Sequence, residues 1–88
     1  MELIKVVRAK YIEGYKIEFQ FNNGIIKTID LSNEIYGEVF EPLKNIELFR
    51  RFKVDPDLQT IVWENGADLA PEFLYKKIKV KEEILTYK

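Results

Sequence analysis

The chain has 88 residues, of which 47% are hydrophobic and 33% are charged, and its 14 basic and 15 acidic side chains leave a net charge of −1. This composition predicts one soluble globular domain with a modest core, since a chain of this size hides only about 60% of its unfolded surface. A net charge near zero creates no strong field to attract nucleic acid or an anionic membrane, so we expect neither as a partner.

Cysteine and histidine are both missing from the sequence. Their absence removes disulfides, thiolate chemistry, the commonest metal ligand and the usual general base. No apolar run approaches the roughly 18 residues of a membrane span, and the first residues lack the basic and then apolar pattern of a signal peptide. We therefore expect a cytoplasmic protein with no enzyme activity, no metal and no cofactor.

The first third of the chain predicts a three-stranded antiparallel meander. Residues 15–21 alternate apolar and polar side chains without a fault, which is typical of a half-buried strand. Residues 3–12 are rich in Ile, Val and Tyr and precede a Glu-Gly reversal at 13–14. Residues 25–31 follow the strong turn sequence Asn-Asn-Gly at 22–24 and supply the third strand.

The middle of the chain has no sustained period. Polar, aromatic, Gly and Pro residues mix between positions 32 and 43, so we expect a loop with a short turn that holds Tyr36 and Phe40 against the core. Asn45 then caps a helix over residues 46–52, whose acidic start and basic end suit the helix dipole.

A second hairpin is predicted next, with strands at 52–55 and 60–63 around a Pro-Asp-Leu-Gln turn whose Asp bonds back to nearby amides. Pro71 fits the first position of a second helix, and either Asp68 or a nearby backbone group completes the helix start. Residues 77–81 alternate like a strand while 81–85 fit a helix extension, and the sequence leaves both open.

Together these elements predict a single α+β domain over residues 1–88, with its core at about 3–76 and a tail at 77–88. Its architecture is a small antiparallel sheet, made of the three-stranded meander plus the second hairpin, with two short helices.

One combination of motifs resembles a known bacterial family. The pattern W-x-N-G-A-D-L begins at Trp63 and is followed by P-x-x-L-Y from Pro71. The positions that carry the likeness are Asp30-Leu31, Phe40-Glu41-Pro42-Leu43, Phe49, Val54-Asp55, Thr60 to Trp63, Asn65 to Leu69, Pro71 and Leu74-Tyr75. In these residues the chain is similar to the family named domain of unknown function 2442.

The resemblance implies an α+β domain on a small antiparallel sheet, and it implies no enzyme activity. It also implies a role beside another small protein, in an arrangement like a toxin and antitoxin pair. Some family members carry an added C-terminal helix-turn-helix. Residues 76–88 are too few for that motif, so we do not expect its DNA-binding role here.

Few residues are candidates for chemistry. Asp68 with Glu64 and Glu72 forms a candidate carboxylate cluster for a metal or for acid–base work. Without His, Cys or a recognisable ligand loop, helix capping and solvation explain these acids better. Arg50 and Arg51 form a candidate basic patch, although such a pair is more often a solvated helix face.

These observations favour a non-enzymatic protein-interaction module, the antitoxin-like or regulatory member of a two-protein system, and leave a homo-oligomer open. The predicted anchors are aromatic, because Trp and Tyr dominate interface hot spots. They are Tyr36, Trp63 and Tyr75, with Arg50 and Arg51 beside them, while Asn65, Gly66, Asp68 and Pro71 are predicted to shape the chain.

Two alternatives stay open. An enzyme that uses only carboxylates and lysines would need two acidic groups facing each other in a cleft. The other alternative is a module that binds a small ligand or single-stranded nucleic acid. It requires the Trp63 ring to be exposed on one surface with Arg50 and Arg51, so that a base can stack on the indole. A lone Trp at a strand end more often completes a small core, which would remove this alternative.

Overall fold

The computed structural model describes residues 3–77. Strands β1, β2 and β3 form one antiparallel sheet in that order, and β4 and β5 form a separate two-stranded sheet. In chain order the elements are β1 (Val6–Glu13), β2 (Lys16–Phe21), β3 (Ile26–Asp30), a 3₁₀ turn (Glu41–Lys44), α1 (Ile46–Phe49), β4 (Lys53–Asp55), β5 (Thr60–Val62) and α2 (Pro71–Lys76). This is the α+β fold that the sequence predicts.

The alternating sequence of β2 decides which face of the three-stranded sheet packs on the core. Ile17, Phe19 and Phe21 are buried, and the polar residues between them lie on the opposite face. Ile29 of β3 lies opposite Ile17 and is also fully buried. The core therefore forms on one side of the sheet, and the other side meets solvent.

Strand β1 is less regular than predicted. It begins at Val6 instead of residue 3, and its register against β2 shifts between Val6 and Arg8 and again between Tyr11 and Glu13. Val6 is buried while Val7 is 46% exposed. A bulge inserts a residue that has no partner opposite it, so period-two reasoning fails at these two places.

Asn22 holds the chain before β1 beside the turn between β2 and β3. Its Oδ1 accepts the Lys5 amide at 2.9 Å, and its Nδ2 donates to the Leu3 carbonyl at 2.9 Å. Gly24 in the same turn has φ of 90°, a conformation that Gly adopts at little cost. The predicted Asn-Asn-Gly turn thus reverses the chain and also fixes a distant segment.

The expectation that Tyr36 packs on the core is wrong. Tyr36 is 68% exposed, and its neighbour Ile35 occupies the buried position instead. Gly37 follows with φ of 92°, which turns the chain directly after the tyrosine. Phe40 is half-buried, and its ring packs edge to face against Trp63 with centroids 6.2 Å apart.

Helix α1 starts as predicted and ends early. The Asn45 Oδ1 accepts the Glu47 amide at 2.9 Å, which is the expected cap. The helix ends at Phe49 instead of residue 52, because β4 begins only four residues later and the Arg51 amide already bonds in a tighter turn to Leu48 O at 3.1 Å. One helical turn has no stability of its own, so tertiary packing holds it.

The second hairpin forms its own sheet beside β1. In its turn the carboxylate of Asp55, not the predicted Asp57, accepts two amides: Asp57 N at 2.8 Å and Leu58 N at 3.1 Å. An acceptor just before the turn reaches the amides that point back toward it. Val6 N donates to Gln59 O at 2.9 Å, which joins the hairpin to the three-stranded sheet.

Helix α2 begins at Pro71, as predicted, but Asp68 does not complete its start. The N-cap is Ala70, and no side chain caps the helix. Asp68 instead forms an isolated antiparallel bridge with Val62, so at this point the chain still runs beside β5. The tail predicted at 77–88 lies outside the described residues, apart from Lys77.

All elements share one core. Its largest fully buried side chains come from both sheets and both helices, and they are Phe19, Phe21, Phe49, Ile17, Ile29, Leu31, Ile61 and Leu74. Among the described helices, none combines the length and the apolar character needed to cross a bilayer.

The two isoleucines of β3 provide a matched test of this one-sided packing. Ile29→Ala should lower the free energy of unfolding by about 2–5 kcal/mol, because it leaves a cavity in the core. Ile26 lies on the opposite face of the strand and is 50% exposed. Ile26→Ala should therefore lower the free energy of unfolding much less. Urea denaturation of both variants measures the difference, and equal losses would contradict the assigned faces.

Gln59 offers a test of the hairpin turn. Its φ is 63°, a left-handed conformation that costs a non-glycine residue about 1 kcal/mol. Gln59→Gly should therefore raise the midpoint of thermal unfolding or leave it unchanged. Leu58→Gly, one residue earlier, relieves no such strain and should lower the midpoint. A lower midpoint for Gln59→Gly than for Leu58→Gly would show that Gln59 does not adopt the left-handed conformation.

Candidate protein-binding groove

An open groove of about 210 Å³ lies between the 3₁₀ turn, α1 and the end of β5. Its lining is mainly apolar and consists of Pro42, Leu43, Leu48, Arg51, Trp63, Glu64 and Asn65. Small-molecule pockets usually enclose at least about 300 Å³. The groove thus has room for one or two side chains of another polypeptide.

Trp63 borders the groove from inside the core. Its side chain is only 4% exposed, and its indole Nε1 donates to the Phe49 carbonyl oxygen at 2.8 Å. The indole packs against three phenylalanine rings, those of Phe49, Phe40 and Phe52, with centroid distances of 5.8, 6.2 and 6.4 Å. Trp63 therefore completes the core, and its face is closed to a nucleic acid base.

The Asn-Gly turn after β5 shapes one side of the groove. Trp63 N donates to Ala67 O at 2.9 Å, and Gly66, between them, adopts a φ of 92°. The side chain of Asn65 accepts the Ala67 amide at 3.1 Å and donates to Val39 O at 2.7 Å. Asn65 thus ties the preceding loop to the groove, and the exposed Val39 side chain adds apolar surface nearby.

The two arginines predicted as one basic patch differ in their contacts. Arg50 lies 3.8 Å from the Glu47 carboxylate, and its guanidinium sits 5.1 Å from the centre of the Tyr11 ring. Arg51 is exposed and lines the groove. Within residues 3–77, no carboxylate forms a salt bridge with Arg51, so its guanidinium is available to a partner.

The other predicted anchors lie in different settings. Tyr36 is exposed on the loop before the 3₁₀ turn. Tyr75 is half-buried on α2 and contacts the turn between β2 and β3: its ring packs edge to face on Phe21 at 5.1 Å, and its hydroxyl accepts Asn23 Nδ2 at 3.0 Å. Tyr75 does not line the groove, so the three aromatic anchors do not form one patch.

The acidic candidates Glu64, Asp68 and Glu72 lie in three different local settings. Glu64 lines the groove, Glu72 lies in the first turn of α2, and Asp68 bridges to Val62. Across the described part of the chain, no three Asp, Glu, His or Cys side chains come together as metal ligands. The groove therefore offers apolar contact, the cation of Arg51 and the single carboxylate of Glu64.

Sequence reasoning missed three residues of the groove: Pro42, Leu43 and Leu48. In the sequence, the Phe-Glu-Pro-Leu step at 40–43 indicates only a loop and a family likeness. Pro42 lies at the start of the 3₁₀ turn, and this turn places Leu43 in the core and leaves Pro42 at the surface. A proline beside a buried leucine was thus the local signal for this side of the groove.

Comparison with known proteins agrees with the predicted likeness. A family model described as protein of unknown function, DUF2442, matches residues 6–80. No curated protein and no solved structure matches the chain. The family match covers both sheets, the groove and α2, which is well over half of the sequence. The chain therefore belongs to the DUF2442 family.

Proposed function

We propose that this protein is a non-enzymatic interaction module that binds another small protein through the groove. The observation that supports this most is the apolar groove beside the exposed Arg51. An apolar centre with a polar rim is the usual anatomy of a protein interface, and arginine is among the residues that contribute most at hot spots.

The groove suits a partner segment in which an apolar residue is followed or preceded by an acidic residue. Burying a leucine-sized side chain against Leu48 and Pro42 stabilises a complex by about 1.5–3 kcal/mol. The planar guanidinium of Arg51 can hold a carboxylate through two parallel hydrogen bonds. Because Glu64 lies on the same groove, a second acid in the partner would be repelled, which gives the site specificity.

The finer role that we propose is the antitoxin-like or regulatory member of a bacterial, cytoplasmic two-protein system. The family likeness supports this role, and the natural candidate partner is the protein encoded by the neighbouring gene. A non-enzymatic role is supported by the lack of imidazole and thiol groups in the sequence and by the lack of a metal-binding acidic cluster within residues 3–77.

The alternative of a binder of bases or sugars loses its main support in the structure. That alternative needs an exposed indole, and Trp63 is buried with its Nε1 already bonded to a backbone carbonyl.

A pair of leucine substitutions tests the proposal. Leu48→Glu replaces an apolar wall of the groove with a carboxylate that can occupy the Arg51 guanidinium. It should reduce capture of the neighbouring gene's protein at least about tenfold, since it removes apolar burial that contributes about 1.5–3 kcal/mol. Arg51→Glu should also weaken capture. The measurement is co-purification of the two proteins, followed by titration calorimetry.

Leu58→Glu is the matched control. It makes the same chemical change at a 53% exposed leucine in the hairpin turn, at the end of the hairpin away from Trp63. Capture should be unaffected by this change. Thermal unfolding of each variant separates loss of binding from loss of fold, and a folded Leu48→Glu or Arg51→Glu variant that binds normally would refute the groove as the binding site.

A further inference from the structure

We propose that the outer edge of β3 accepts an extended strand from a partner protein. This inference rests on the proposed interaction role and names a second surface for it. Among residues 3–77, β3 pairs with β2 on one side and with no strand on the other. An unpaired strand edge presents a row of backbone donors and acceptors that fits another strand.

The register shows which groups point outward. Phe21 N donates to Ile25 O and Leu31 N donates to Tyr15 O, both at 2.9 Å, in line with the pairing of β2 and β3. Because a strand directs successive residues' backbone groups to opposite sides, the odd-numbered residues of this stretch bond to β2. The outward N–H and C=O groups are therefore those of Ile26, Thr28 and Asp30.

The two edges of the sheet differ in their protection. At the other edge, β1 is bulged twice and donates its Val6 amide to the second hairpin, and both features hinder pairing with a further strand. Strand β3 has five residues in unbroken register, without a bulge or a proline. Of the two edges, β3 is thus the one shaped to receive a strand.

The single lysine of β3 does not guard its edge. Lysines usually protect edge strands by pointing a charge at an incoming chain. The Lys27 ammonium instead donates to the Tyr75 carbonyl at the end of α2 and lies 4.5 Å from the centre of the Tyr75 ring. Its charge is held on the core face of the sheet, so it does not screen the backbone edge of β3.

The side chains of β3 define the chemistry of the incoming strand. An apolar residue fits opposite the buried Ile29, and a basic residue fits opposite the exposed Asp30. A second copy of the chain fits poorly: an antiparallel pair of β3 strands centred on Thr28 sets Ile26 opposite Asp30 and Lys27 opposite Ile29. We take the occupant to be a segment of another protein that alternates apolar residues and carries a basic one. If the chain's own alternating residues 77–81 filled the edge instead, the outward amides would be protected in the free protein.

A synthetic peptide tests this site without knowledge of the natural partner. The probe has seven residues that alternate valine with threonine and carry lysine at both ends. At saturating peptide, amide hydrogen exchange at Ile26, Thr28 and Asp30 should slow at least about tenfold, while the already paired Lys27 and Ile29 amides change little. Thr28→Pro removes an outward N–H and should weaken binding at least about tenfold, whereas Thr28→Val keeps the N–H and should bind normally.

Two results would overturn the proposal. One is slow exchange of the three outward amides in the free protein, because the edge is then filled without a partner. The other is a peptide that leaves these amides unchanged. Both readouts use the unaltered chain, so they remain decisive even if the proline variant fails to fold. Slowed exchange combined with no effect of groove variants on capture would support the strand site and refute the groove.

Discussion

The hydrogen bond from the Trp63 indole to the Phe49 carbonyl is the interaction on which the rest of this small domain depends. It joins the end of β5 to a helix of one turn, which has no stability of its own. The indole also brings together the rings of Phe40, Phe49 and Phe52, from three different segments. Because the bond and the rings are buried together, the second hairpin, α1 and the loop before it form one unit.

Several polar side chains of the domain shape the backbone. Asn22 fixes the segment before β1, Asn45 caps α1, Asp55 closes the hairpin turn, and Asn65 joins its own turn to the loop at Val39. Each satisfies backbone groups that the short elements leave unpaired. Within residues 3–77, the two surface features that we propose for recognition are the groove beside Arg51 and the outer edge of β3.

Much of the fold was predictable because local signals agreed with tertiary packing. The unbroken alternation of apolar and polar residues in β2 predicts a half-buried strand. Pro71 predicts a helix start, because its missing N–H costs no hydrogen bond at the first helical position. Tyr36 was wrongly placed on the core because the adjacent Ile35 takes that position. The sequence left open whether Asp68 or a backbone group starts α2, because the bridge between Asp68 and Val62 of β5 depends on tertiary structure. The groove could not be predicted from the sequence, because its lining comes from three segments that no local pattern connects.

Hydrogen exchange at the single indole N–H tests the central interaction most directly, because Trp63 is the only tryptophan and gives one resolved signal. If the bond to Phe49 holds the unit together, this proton should exchange only when the whole domain unfolds, at the rate of the slowest core amides of β2. Exchange as fast as that of a solvent-exposed indole would contradict the buried bond and the groove built around it.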